Sequence, residues 1–211
     1  MACLHLMAGS LDCAIYVDTG YAYPETQRMV EYAAARVPMF VVKSDRAGQN
    51  EREGVPAEIV PVDWTPLGQM LTGAKPVKVQ PYTACCFENI VSPLMRRAKE
   101  LRVTELVCGQ RNDEPYKSPS RDGAVVDGIK RLHPIENWTT ETVLSYLATK
   151  MDVPAHYTMK HSSLDCYDCT AFRRDSADRV EWMRTAHPQF MQAYTARRDA
   201  LATALHGALN G

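Results

Sequence analysis

Short apolar runs alternate with amphipathic stretches along most of the chain, the pattern of buried strands joined by helices. CAIYVD, residues 13–18, reads as a buried strand. PETQRMVEYAAARV follows, with Pro24 at a first helical position and Val30, Ala33, Ala34 and Val37 on one face. MFVVKS (39–44) and AEIVPV (57–62) predict further strands, Pro93 to Leu101 a helix, and TELVCG (104–109) another strand. Residues 110–128 are rich in Pro, Gly, Ser and charge and predict a long surface loop. A short strand, RLHPI, comes next, then a helix entered at Asn137 or Thr139 and carrying Val143, Leu144 and Leu147. From Asp175 onward the pattern is helical and polar-rich. This succession predicts an α/β fold, a mainly parallel sheet with helices on both faces, over residues 1–174, and a helical C-terminal extension over 175–211.

Composition narrows the function classes. A chain of 211 residues, 45% hydrophobic and 23% charged, is ordinary for a globular protein. A formal net charge of −1 gives no general attraction to nucleic acid or anionic lipid. No apolar run approaches the roughly 18 residues that span a bilayer, and the opening MACLHLMAGSLDCA lacks the flanks of a signal peptide, so a cytoplasmic protein with no membrane contact is expected. Seven cysteines make an odd count for a disulfide framework, and a reducing compartment leaves them as thiols.

Four of those thiols form two tight pairs: Cys85 next to Cys86, and Cys166 and Cys169 spaced as Cys-x-x-Cys. Thiolates are soft ligands, and each pair supplies two of them from one short segment. Three readings stand: a [4Fe–4S] cluster, a zinc ion, and buried thiols that bind nothing. Adjacent cysteines diverge in direction, which suits the separate iron corners of a cubane better than one small ion. Cys3, Cys13 and Cys108 lie in apolar segments and read as small core residues, Cys108 at a strand end beside the predicted loop.

VDTGYAYPET (17–26), the Cys85-Cys86 pair, GQRNDE (109–114), HPIENWTTETVLSYL (133–147) and LDCYDCT (164–170) occur in a characteristic order and spacing. Over most of its length the chain thereby resembles the sulfonucleotide reductase family, the adenylyl-sulfate (APS) and phosphoadenylyl-sulfate (PAPS) reductases of sulfate assimilation. The double cysteine followed by Cys-x-x-Cys looks like the branch that carries a [4Fe–4S] cluster, which implies Cys85, Cys86, Cys166 and Cys169 as its ligands. The resemblance implies an adenine-nucleotide α-hydrolase-like (PP-loop) fold, an adenine sulfonucleotide, APS or PAPS, as ligand, and thioredoxin as partner. Ligands of open α/β sheets bind outside the carboxyl ends of the strands. Asp18, Thr19 and Gly20 stand at such an end, where the family places adenosine; without the resemblance they read equally well as a tight turn. Arg111 matches the first arginine of the family's Gly-x-Arg-Arg-Asp-Gln loop, whose second arginine and glutamine are here Asn112 and Glu114. Lys117 and Arg121 follow it as further candidates for a phosphate or sulfate. Arg173, Arg174, Arg179 and Arg184 form a basic cluster where relatives contact phosphosulfate.

The chain also departs from that family. Relatives open with a phosphate-cradling SGGxDS loop, and MACLHLMA resembles the helix after it, so the expectation is a chain without that anion cradle and one central strand. Relatives end with a Glu-Cys-Gly-Leu-His segment whose thiolate attacks sulfur. No cysteine follows Cys169, so reduction by that route is expected to fail. The lysine that relatives place four residues after the second cysteine is Ile90. The functional expectation is an APS/PAPS-reductase-like oxidoreductase. Its alternatives are a nucleotide-dependent sulfur transferase that thiolates nucleic acid, and a non-catalytic cluster-binding remnant.

Overall fold

Among the described residues pairing is mainly parallel, in three small sheets. The structure, a computed structural model, describes residues 1–73, 77–114, 117–158, 166–171 and 177–210. After a short helix α1 (Ala2–Leu6), strand β1 (Ala14–Asp18) crosses through helix α2 (Pro24–Ala34) to β2 (Met39–Lys43). β1 and β2 pair in parallel with Asp18 opposite Lys43, so both strands end at the same sheet edge. Helix α3 (Arg46–Glu53) leads to β3 (Val55–Ala57), which pairs in parallel with β4 (Val79–Pro81) beyond helix α4 (Pro66–Thr72). Helix α5 (Tyr82–Cys86) and helix α6 (Ser92–Glu100) precede β5 (Glu105–Val107), which pairs in parallel with β7 (Ile129–Leu132); β6 (Val125–Val126) adds on antiparallel. Helices α7 (Thr140–Ala148), α8 (Ala177–Ala186) and α9 (Pro188–Asn210) complete the chain.

Local chemistry sets these boundaries. Pro24 stands at the start of α2, where its missing N–H is no loss. Asp45 caps α3 by accepting from the Gly48 N–H, Thr65 caps α4 through Gly68, and Thr139 caps α7 through Thr142. Gly54 ends α3 at φ 105°, with the Lys78 carbonyl carbon only 2.2 Å from where a Cβ would sit, so β4 closes on β3 only because this residue has no side chain.

Three expectations need correction. The short strand expected at RLHPI runs instead from Ile129 to Leu132, drawn back by its pairing with β5 and β6, and residues 133–135 lie outside it. The strand expected over residues 57–62 ends at Ala57: Ile59 and Val62 are 61% and 77% exposed, and Val62–Trp64 forms a 3₁₀ turn. Pro61 has no N–H to give a ladder, and pairing with β4 draws the strand back to Val55. The loop expected over 110–128 is interrupted by β6, because Asp127 and Gly128 take φ of 54° and 76° and make the two-residue turn of a β6–β7 hairpin.

Among the described residues three apolar clusters hold the layers. Ala2, Ile135, Val143 and Leu147 join α1 to α7. Ala57, Val79, Leu201 and Ala204 seat α9 on β3 and β4. Tyr23, Met183 and Tyr194 bring both C-terminal helices against the start of α2. Among the described residues no helix is long and apolar enough to cross a membrane.

Candidate metal centre

Cys85 and Cys86 occupy the last turn of α5, and the helical path runs on through a π-helical turn, Phe87–Val91, into α6. Pro93 explains the widening: its ring would strike the carbonyl of Asn89 in a regular α-helix, and one π turn moves that carbonyl away. Such turns often sit at functional positions. Successive helical residues point about 100° apart, so the two thiols diverge while staying on one wall.

Cys85 is buried in an amide network. Its thiol donates to Asn50 Oδ1 at 3.6 Å, and Asn89 Nδ2 lies 3.7 Å from its sulfur while donating to its carbonyl at 2.9 Å. Gln80 Nε2 donates to Gln49, Asn50 and the Gly54 carbonyl, and Gln49 returns a bond to Gln80 at 2.7 Å. All four amides are buried. Buried amides are costly unless partnered, so this network fixes how Cys85 points.

The segment around the second pair is described over residues 166–171, and several elements strap it in place. The Tyr167 N–H donates to the Tyr21 carbonyl at 2.9 Å, just past the end of β1. Asp168, 2% exposed, ion-pairs with Arg46 of α3 at 2.7 Å and with Arg197 of α9 at 2.8 Å. Arg179 of α8 donates to the Cys169 carbonyl at 2.9 Å, and Thr170 to the Pro56 carbonyl at 2.8 Å. Tyr167 stacks on Phe190 with ring centroids 4.2 Å apart.

All four thiols line one cavity of about 370 Å³, with Thr19 and Arg46 among its polar walls and Ile90 and Leu94 among its apolar ones. Thr19 Oγ1 is 3.4 Å from Cys166 Sγ. Burial pushes the Cys166 thiol up to about 11, against the pull of Arg46 and the Thr19 hydroxyl. For Arg46 burial works against the charge, but Cys166, Asp168 and Cys85 outweigh it and raise its pKa above the ordinary value. Among the described residues no three His, Cys, Asp or Glu side chains gather tightly enough for a single metal ion.

The other residues singled out in the sequence fall into two groups. Thr19 faces Cys166, while Asp18 accepts from the N–H of Gly20 at 2.8 Å, with Gly20 at φ 76°. Arg179 braces the Cys169 carbonyl and is 2% exposed. Arg111, Lys117 and Arg121 do not line the cavity. Arg111 is engaged by Asp113 at 2.9 Å, Glu114 at 3.3 Å and the Thr140 hydroxyl at 3.1 Å. Lys117 donates to the Asn112 carbonyl, and Arg121 to the Ser118 and Ser120 carbonyls. Arg184 pairs with Glu181 on its own helix. Arg173 and Arg174, with the first residues of LDCYDCT, lie outside the described residues.

The sequence did not point to Arg46, Asp168, Arg197 or the four amides. Asp168 alone carried a usable hint, a carboxylate enclosed between two cysteines where a solvated loop would tolerate any residue.

Comparison with known proteins agrees with this architecture. The model of the phosphoadenosine phosphosulfate reductase domain matches residues 1–172. Adenosine 5'-phosphosulfate reductase of Deinococcus radiodurans is 28% identical over 170 residues, 79% of this chain and 60% of that protein. The chain thus spans about 60% of that relative's length. The crystal structure of phosphoadenylyl-sulfate reductase from Candida auris, a phosphate complex, shares the fold at a TM-score of 0.51 and 18% identity, covering 78% of this chain and 74% of that one.

Proposed function

Because the chain belongs to the phosphoadenosine phosphosulfate reductase domain family, we propose that it is a sulfonucleotide-reductase-like protein holding a [4Fe–4S] cluster on Cys85, Cys86, Cys166 and Cys169. The observation that carries this reading is the meeting of both cysteine pairs on one cavity. Two thiol pairs from separate segments that line one cavity suit the separate iron corners of a cubane better than one tetrahedral zinc. When bound, such a cluster supplies an inorganic centre whose potential follows the charge and hydrogen bonding around its sulfurs.

The chain's own residues do the rest. The Thr19 hydroxyl and the Asn89 amide are placed beside Cys166 and Cys85, and Arg179 and the Tyr21 carbonyl hold the backbone of the second pair. Cys166 is a neutral thiol at pH 7, since its pKa is pushed up to about 11, so ligation must expel its proton. The adenine sulfonucleotide, APS or PAPS, is assigned to the carboxyl ends of β1 and β5, where Asp18–Gly20 and the segment with Arg111, Lys117 and Arg121 stand. An anion there must compete with Asp113 and Glu114 for Arg111. Reductive release of sulfite with thioredoxin as electron donor, the activity the family resemblance implies, needs a nucleophilic thiol to take up the sulfonyl group, and this reading assigns that role to no cysteine of residues 1–211, so sulfite release from APS by these residues alone is expected to be undetectable.

Anaerobic purification with iron and sulfide analysis tests the metal assignment. About four irons per chain and a brown colour are expected, and the Cys166→Ser variant should lose iron and stability together. Colourless protein with stoichiometric zinc would overturn the cluster. Calorimetry with APS and PAPS tests the ligand, and heat from neither would remove the sulfonucleotide from the reading.

A further inference from the structure

Arg46 carries more charge than its pairing uses. It is 2% exposed, and its Nη1 lies 2.7 Å from Asp168 Oδ1 without hydrogen-bond geometry. Nη2 has no hydrogen-bond partner among the described residues. The other oxygen of Asp168 is taken by Arg197. Two arginines therefore share one carboxylate, leaving a formal charge of +1 where a buried charge is costly unless something opposes it. The guanidinium, 4.3 Å above the Tyr21 ring, forms part of the cavity wall with the four thiols. Position 90, four residues past Cys86, is an isoleucine in the same wall and supplies no charge.

We propose that Arg46 is the counter-cation of the metal centre, placed by Asp168 and α3 so that its charge faces the cluster and raises its reduction potential. This rests on the iron–sulfur reading above. A thiolate-bound cluster is anionic and gains a further negative charge on reduction, so a fixed cation favours the reduced form. Burial keeps water from screening that charge. Asp168 anchors the guanidinium from the side of the cysteine loop, and Arg197 prevents the carboxylate from neutralising it completely.

The test is a potentiometric titration of the iron-loaded chain, followed by EPR, for wild type, Arg46→Met and Arg46→Lys, with iron content measured in each. At a fixed potential Arg46→Met should show about a tenfold lower ratio of reduced to oxidised cluster, a shift of about 59 mV for a one-electron couple, and Arg46→Lys should stay near wild type. Full iron with an unchanged potential in Arg46→Met overturns the proposal and leaves the cluster reading standing. Should Arg46→Met lose its iron, Arg46→Lys decides: retained iron at the wild-type potential supports a requirement for charge, and equal loss of iron shows that shape is what matters. Wild-type protein that takes up no iron under reconstitution sinks the cluster reading and this inference with it.

Discussion

Replacing Asp168 by asparagine keeps the shape of the cysteine loop and removes the only carboxylate that Arg46 and Arg197 are shown to share. Asp168 and Arg46 are each 2% exposed, so the change strands a guanidinium that cannot reach water. Breaking a buried pair by deleting one partner costs about 3–5 kcal/mol. Arg197 is 20% exposed and can turn outward, so its loss adds little to that figure. Against a total stability of about 5–15 kcal/mol, the variant should lose about a fifth or more. At about 2–4 °C per kcal/mol for a chain of this size, melting should fall by roughly 6–20 °C. Urea unfolding of the metal-free chain, followed by far-ultraviolet circular dichroism, gives the difference directly. Adding Arg46→Met to Asp168→Asn should restore part of the loss, since the stranded charge is then gone. A loss below about 1 kcal/mol in the single variant, or strict additivity in the double, would refute the reasoning that this pair is a closed, buried unit.

Two further perturbations test other parts of the fold. Glu25 is paired with His187 at 2.8 Å; burial pushes its carboxyl up, but the bonds from His187 and the backbone outweigh burial and hold it below the ordinary carboxylate value. A carboxylate lowered on folding contributes stability that is present above its unfolded pKa, about 4.3, and is lost as pH falls through the folded value. Urea midpoints measured from about pH 6 down to pH 3 should therefore fall more steeply for wild type than for Glu25→Gln, and parallel profiles would contradict the pairing. Gly54→Ala places a methyl 2.2 Å from the Lys78 carbonyl carbon at φ 105°, so it should cost more than about 1 kcal/mol and loosen β3 from β4; an unchanged melting temperature would disprove the close approach.

Local signals in the sequence were reliable where one residue decides the outcome. Pro24 starts α2, Thr139 caps α7, and the apolar run over 13–18 becomes β1, because each depends on its own neighbours. The run over 57–62 misled because an apolar pattern does not say which residues find a partner strand: β4 takes Val55–Ala57, and Val62 stays exposed. Both cysteine pairs were legible as ligand candidates because thiols in tight spacing are uncommon. Their surroundings were not. Arg46, Asp168 and Arg197 look like ordinary solvated charges in sequence, and only the docking of α3 and α9 against the cysteine loop joins them into one ion-paired group around a buried carboxylate. The glutamines and asparagines of α3, β4 and the π turn were invisible for the same reason, since their bonds join residues on three separate elements.

The cysteine loop is fastened by side chains from α3, α8 and α9 and by the backbone just past β1, and this sets the order of maturation. During synthesis the first thiol pair emerges long before its second wall exists, and α9, which supplies Arg197, is made later than the Cys-x-x-Cys loop it fastens. Delivery of the proposed cluster must therefore wait until α9 has been made, and until then the sulfurs at 85 and 86 depend on a reducing environment to survive.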